Sequence, residues 1–293
     1  MESKPAPPPS VSIVITVRNE GRHIRPLLES LAAQEPPYEV VLVDALSHDD
    51  TVAVAQAWAD SHPGVLRIYR QYGSRGIGRN LGVRASTGEF VAFTDGDCVV
   101  DPNWLHELRG GLRRSDVAAG RTVVFGHARY ANLDRVELYQ QGNDVTYPSC
   151  NLAYRRGLFE SLGGFDPRFI TAEDIDLNLR AVRRGVRIEY VPEAVVRHQA
   201  RESILRFLEQ AFWNGYGRKQ LTEKQGSLWA HYQYRRLFAG QRSLTAWARL
   251  VAAFAGYFTR VLTGGNRRLS APLPPSELSP EGGSESANSR SSA

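Results

Sequence analysis

FVAFTDGDCVV, residues 90–100, is a short apolar run that stops on two acids. Phe, Val and Ala bounded by turn residues predict a buried strand. Asp95-Gly96-Asp97 then stands at its C-terminal end, with Gly96 allowing a tight turn between the carboxylates. In open α/β sheets, ligands bind outside the carboxyl ends of the strands. Paired carboxylates there can hold a hard divalent cation, and the cation can hold a diphosphate. A solvated surface turn is the plain alternative, and the neighbouring sequence decides between them.

Upstream, VSIVITV (11–17), YEVVLVD (38–44) and VLRIYRQ (65–71) read as strands. Between them, Ile24, Leu27, Leu28 and Leu31 recur at helical spacing, and SHDDTVAVAQAWADSH begins with the acids and Thr that helix starts favour. Gly76 to Ala85 reads as a loop entering a helix. This alternation predicts an α/β fold with a mostly parallel, Rossmann-like sheet flanked by helices. Downstream, NWLHELRGGLRR reads as a helix, VAAGRTVVFG as a strand near the sheet edge, and ITAEDIDLNLRAVRRG as a helix. VRIEYVPEAVVRH reads as a strand interrupted by Pro192. Residues 127–150 give no clear pattern. From Ser203 the pattern is helical and basic, and residues 264–293 read as a disordered tail.

The chain has 293 residues, 42% of them apolar, enough for a sizeable core. Cys98 and Cys150 are too few for a disulfide framework and lack zinc-ligand spacing. MESKPAPPPS at 1–10 has no apolar signal core, so no secretory signal is expected. No uninterrupted apolar segment of membrane-spanning length is present either. Net charge is +5, but residues 201–268 carry twelve Lys or Arg against three Glu. An anionic partner for that quarter follows, with a membrane surface preferred; no recognition motif points to nucleic acid.

Gly73-Ser74-Arg75-Gly76-Ile77-Gly78 imitates a dinucleotide fingerprint. It follows the third strand rather than the first, Tyr72 stands where a Gly is needed, and no Tyr-x-x-x-Lys pair exists. A dehydrogenase is set aside.

Five features line up in order: Thr16 to Glu20, Asp44 with Ser47, Asp49 and Thr51, Gly76 to Asn80, Asp95 to Asp97, and Glu173-Asp174. The first four lie at or just beyond predicted strand ends. VSIVITVRNE, VVLVDALSHDDT, GIGRNLGVRASTGEFVAFTDGD and SCNLAYRRGLFESLGGFDPRFITAEDIDLNLR together resemble the family 2 glycosyltransferases, which have the GT-A fold. The resemblance covers about residues 11–200. It implies a catalytic domain over 11–200, with a donor half to about residue 100 and an acceptor half beyond it. A flexible lead-in (1–10), a basic helical extension (201–263) and the tail complete the layout.

The resemblance also implies roles. Thr16, Arg18 and Glu20 would line the nucleotide pocket, and Asp44 would accept a hydrogen bond from the base, usually uracil. Arg79 would face the diphosphate, which a guanidinium fork suits. Asp95 would contact ribose or assist the metal, Asp97 would ligate Mg²⁺ or Mn²⁺, and His198 stands where many relatives place a further metal ligand or a diphosphate contact. Glu173 would join the donor site, and Asp174 would be the general base that deprotonates the acceptor hydroxyl. Cys150 and Asn151 either line the acceptor pocket or pack structurally. One departure is Ala45-Leu46, where relatives commonly carry Asp-Gly. The implied reaction is inverting transfer from a nucleotide-sugar, a UDP-sugar in the usual case, to a glycan or lipid-linked acceptor at the cytoplasmic membrane face. A sugar-phosphate nucleotidylyltransferase and a catalytically silent nucleotide-sugar binder are the alternatives.

Overall fold

The computed structural model describes residues 10–125, 136–199, 203–228, 231–232, 243–263 and 276–277. Its centre is one twisted sheet. Strands β1 (Val11–Val17), β2 (Tyr38–Asp44), β3 (Leu66–Arg70) and β4 (Phe90–Asp95) run parallel in the order β3-β2-β1-β4. Helices α1 (Ile24–Ala32), α2 (Thr51–Ser61) and α3 (Arg75–Arg84) connect them. β1 and β4 are buried along almost their whole length, as β-branched runs in a doubly covered parallel sheet must be. Their alternation sorts the core. Ile13, Ile15, Phe90 and Ala92 face one cluster with α1, α2 and the later helix α4 (Trp104–Arg114). Val14, Val91 and Phe93 face the opposite cluster.

The second half of the chain extends this sheet with mixed pairing. After β5 (Cys98–Val100) come β6 (Val117–Phe125), a small hairpin of β7 (Tyr139–Gln140) and β8 (Asn143–Asp144), β9 (Leu152–Arg155) and β10 (Ile188–Gln199). The order continues β4-β9-β6-β10-β5, with β9 antiparallel to both its neighbours. The 117–125 strand lies third from the β5 edge and is paired on both sides: β9 inserts between it and β4, and β10 and β5 follow on its other side. β10 shifts register between Val191 and Val195, where Pro192 removes a ladder donor. Of the 264–293 tail, Ser276–Glu277 form a two-residue strand, β11, on β3; the rest of that segment lies outside the described residues, as do residues 1–9 of the lead-in.

Helices α5 (Arg156–Ser161), α6 (Glu173–Arg183), α7 (Ile204–Gln225) and α8 (Leu244–Thr263) finish the described fold. α7 is locked to α6 by ions: Lys224 reaches both Asp166 and Asp176, at 2.7 and 2.9 Å. α7 and α8 pack backbone to backbone. A Cβ on Gly215 would lie 1.8 Å from the Ala253 carbonyl, and one on Gly256 equally close to the Phe212 carbonyl. Because small residues face inward, the large apolar side chains of α8 are turned out. Leu244, Trp247, Val251, Phe254, Phe258, Val261 and Leu262 form one exposed stripe at helical spacing. No helix among the described residues is long and apolar enough to cross a membrane.

Candidate active site

A cleft of about 590 Å³ opens over the C-terminal ends of β1 and β4. The sheet register brings its residues together: Thr16 lies directly beside Asp95 across the parallel ladder. Thr16, Arg18 and Glu20 line one wall, and Asp95, Asp97 and His198 another. Helix α7 forms a third with Arg206, Gln210, Trp213 and Asn214. The catalytic cleft thus extends past residue 200 into the helical extension. The loop beneath α7 is fixed by Thr171, whose hydroxyl donates to the Trp213 carbonyl at 2.8 Å. The Thr16 hydroxyl is buried and has no hydrogen-bond partner among the described residues, which leaves it for a bound molecule to satisfy.

His198 sits opposite Cys98 in the antiparallel β10–β5 ladder, and its Nε2 lies 3.3 Å from Asp97 Oδ1. The ligand atoms of Asp97, Cys98 and His198 all lie within 4.8 Å of one another. A carboxylate oxygen and an imidazole nitrogen at this spacing fit a divalent cation of the Mn²⁺ type, which accepts mixed O/N ligation more readily than Mg²⁺ does.

Three residues implied for the donor site are drawn inward instead. Asp44 is fully buried, and both its oxygens accept from the Ser47 amide, at 3.2 and 3.1 Å. Arg70 Nε approaches it at 3.4 Å, and Val43 and Ala45, not Asp44, line the cleft there. The turn it holds puts Leu46 at φ 58°, a left-handed conformation that costs a side-chain-bearing residue about 1–2 kcal/mol. This is the position at which relatives commonly carry Gly.

Arg79 is the second. It is 1% exposed, with Nη1 donating to Glu173 at 2.7 Å and Nη2 to Asp95 at 2.8 Å. Its two terminal nitrogens form a buried bridge between α3, β4 and α6, and it does not line this cleft. Burial works to raise the Asp95 carboxyl, but the charges of Arg79, Arg75 and His198 outweigh it and hold it below the ordinary value. Glu173, the third, is buried against Arg79 and does not line this cleft. Burial and then the Asp174 charge push its carboxyl up, Arg79 opposing them only in part.

Arg75 stands where Arg79 was expected. It is the first residue of α3, exposed, and lines the cleft beside Asp95. A basic side chain at a helix N-terminus, where amide groups and dipole already favour anions, suits a diphosphate. Its place in the sequence, just after Ser74 at the helix start, was the signal for it.

A second cavity of about 470 Å³ adjoins the first. The two share a wall that includes Arg75, Asp95, Thr171 and His198. Asp174 lines only the second. Its Oδ2 accepts from the Ser149 amide at 3.1 Å and hydroxyl at 3.4 Å, while Oδ1 accepts from the Ile175 amide at 2.8 Å. Ala172 precedes it at φ 68°, a strained backbone of the kind found where a functional side chain is aimed. Cys150 lines this cavity too. Asn151 is structural: fully buried, it accepts from Trp104 and donates to the Arg121 and Ala194 carbonyls.

The sequence profile of glycosyl transferase family 2 matches residues 12–163, and that of glycosyl transferase family group 2 matches residues 90–272. Glycosyltransferase AglE of Haloferax volcanii is 28% identical over 209 residues, 66% of this chain and 68% of that protein. The pre-mycofactocin glycosyltransferase of Mycobacterium tuberculosis is 32% identical over 228 residues, but the chain spans only 46% of its length. The fold is similar to that of the mannosyltransferase PcManGT from Pyrobaculum calidifontis, solved with GDP-Man and Mn²⁺, at 22% identity and a TM-score of 0.62 over 88% of this chain and 80% of that one. It is also similar to S. aureus TarS 1-349, solved with UDP-GlcNAc, at 19% identity and a TM-score of 0.57 over 86% and 81%. With a profile matching more than half of the chain and a sheet of the same architecture, the chain belongs to glycosyl transferase family 2 and is a glycosyltransferase with the GT-A fold.

Proposed function

We propose that the protein is an inverting, metal-dependent glycosyltransferase that moves a sugar from a nucleotide-sugar, UDP-linked by family resemblance, to a hydroxyl of a lipid-linked or polysaccharide acceptor. The observation that carries this is the pair of adjoining cavities. One holds the Asp97–His198 pair and Arg75; the other holds a carboxylate, Asp174, fixed by Ser149.

Asp97 and His198 would hold the cation, which when bound neutralises charge on the leaving diphosphate. Arg75 adds a fixed positive charge on the same side, and Trp213 and Gln210 of α7 close the cleft over the donor. Asp174 takes the proton from the acceptor hydroxyl as that oxygen forms a bond to the anomeric carbon. The bond from that carbon to the diphosphate breaks on the opposite, donor-cleft side. One displacement with entry and departure on opposite faces inverts the anomeric centre. The nucleotidylyltransferase reading lacks support, since the family 2 profile spans the first strand and Asp95–Asp97, and the family group 2 profile spans Glu173-Asp174.

The test is thermal unfolding with a panel of UDP- and GDP-sugars, with and without Mn²⁺, because a ligand selective for the native state raises its stability. At about a hundred times its dissociation constant, the matching donor raises stability by about 2.7 kcal/mol. This shift depends on Mn²⁺ and disappears in Asp97→Ala. No metal-dependent shift with any donor refutes the reading.

The same reading places the enzyme peripherally at the inner membrane face. Supporting it are the outward stripe of α8 and the excess of basic residues over 201–268. An amphipathic helix with Trp and Phe on one face lies in the plane of a bilayer interface. Trp247→Ser/Val251→Ser/Phe258→Ser is expected to lower sedimentation with anionic vesicles by about tenfold or more, given the apolar area it removes. Equal sedimentation of variant and wild type would exclude this surface.

A further inference from the structure

We infer that the acceptor is a phosphate- or diphosphate-linked amphiphile, and that Arg218 of α7 binds its phosphate. This rests on assigning the Asp174 cavity to the acceptor and goes on to name the acceptor's chemistry.

Arg218 lines that cavity, half-buried. Its Nη2 donates to the Val136 carbonyl at 2.9 Å and its Nη1 approaches the Tyr232 hydroxyl at 3.4 Å. Both partners are neutral. Among the described residues no carboxylate pairs with it, whereas the neighbouring cation Lys224 holds two and Arg260 one. The guanidinium also lies 5.5 Å from the centre of the Tyr232 ring, so it is held in place before any ligand arrives. A guanidinium has five N–H donors, and these contacts leave several of them for a ligand. A partly desolvated cation with spare donors and no acid favours an anion, and its planar fork matches phosphate oxygens.

The wall beyond Arg218 is mainly apolar: Leu250, Ala253, Phe254 and Tyr257 of α8 form it, with Arg249 at its border. Phe254 is also 40% exposed and belongs to the outer stripe, so the apolar surface runs without interruption from the cavity to the outside of α8. Along Leu250, Ala253 and Phe254 a free polysaccharide would meet carbon rather than partners for its hydroxyls. A lipid phosphate meets each surface with its own kind. Its sugar hydroxyl lies at Asp174, its phosphate at Arg218, and its chain along Phe254 toward the stripe.

The experiment is equilibrium binding of dodecyl phosphate, below its micelle concentration, to the full chain, in parallel with dodecanol and with inorganic phosphate. Dodecyl phosphate is expected to bind at least about tenfold more tightly than either, since both the charge and the chain contribute. Arg218→Gln lowers its affinity by about tenfold or more, Arg218→Lys by less, and Phe254→Ser by several-fold, with unfolding temperatures unchanged. The proposal is overturned if Arg218→Gln and wild type bind dodecyl phosphate within about twofold, a difference smaller than one charged hydrogen bond. Dodecanol binding as tightly as the phosphate overturns it too, as does competition of dodecyl phosphate with a bound nucleotide, which would put the phosphate in the donor cleft. A chain that binds dodecyl phosphate through Arg218 but no nucleotide would leave this site standing and remove the donor assignment.

Discussion

Asp174→Asn is expected to bind the donor as wild type does and to lose transfer by about 10³-fold, the usual range for a missing general base being about 10²–10⁴. The substitution is nearly isosteric. An Asn carbonyl can still accept from the Ser149 or Ile175 amide, so the loop and helix start keep their geometry. What disappears is the ability to receive a proton. Glu173 cannot stand in, because it is buried and its Oε1 is held by Arg79 at 2.7 Å. The donor cleft does not include Asp174, so the thermal shift produced by nucleotide-sugar and Mn²⁺ stays the same. The loss therefore falls on kcat, with KM for the donor unchanged, as for an interaction made only in the transition state. Measured transfer within about tenfold of wild type would remove Asp174 from the role of base.

The residues expected at the cleft that do line it share a feature. Thr16, Arg18, Glu20, Asp95 and Asp97 stand at or just beyond the ends of strands whose β-branched or aromatic content announces them, so a parallel sheet carries them to one edge. Asp174, at a helix start, lines the adjoining cavity. The residues that turned inward, Asp44, Arg79 and Glu173, show what local pattern does not encode. Arg75 and Arg79 are both basic, lie one helical turn apart on α3, and differ only in which neighbour each meets. Asp95 and Glu173 come from segments far apart in the chain, and it is their convergence that captures Arg79. The interior position of β6 has the same origin: β9, a four-residue strand, inserts between it and β4 through pairings no local signal fixes. Helix α7 was expected as a helix, but its place in the cleft wall was hidden by composition. Its mixed face reads as a surface extension, but Gly215 and Gly217 let it approach α8 and the Thr171 loop closely, and that approach makes it a cleft wall.

Arg79→Met is expected to cost about 3–5 kcal/mol of stability, the range for removing one partner of a buried ion network. The side chain is of similar length, so packing against Phe165 is largely kept, while Asp95 and Glu173 lose their common cation. Arg79→Lys should recover only part of the loss, because an ammonium is a single point and cannot span both acids as the fork does. Dependence on pH separates charge from packing. In the wild type the Asp95 carboxyl is held below its ordinary value, net of burial, so its stabilising contribution is present above the unfolded value of about 3.9 and is lost as pH falls through the lower folded one. Glu173 has the opposite sign. Its raised carboxyl stabilises most below its unfolded value of about 4.3, and that contribution is lost as pH rises through the folded one. Without Arg79, burial governs both acids and raises both, so the variant gains as they take up protons. The stability gap between Arg79→Met and wild type should therefore narrow as pH is lowered from about 7 to about 4.5, read from urea unfolding at each pH. A gap that stays constant over this range would make Arg79 a packing residue. A gap that closes, with Arg79→Met/Glu173→Gln more stable than Arg79→Met alone near pH 7, identifies it as the cation that offsets the burial of both acids.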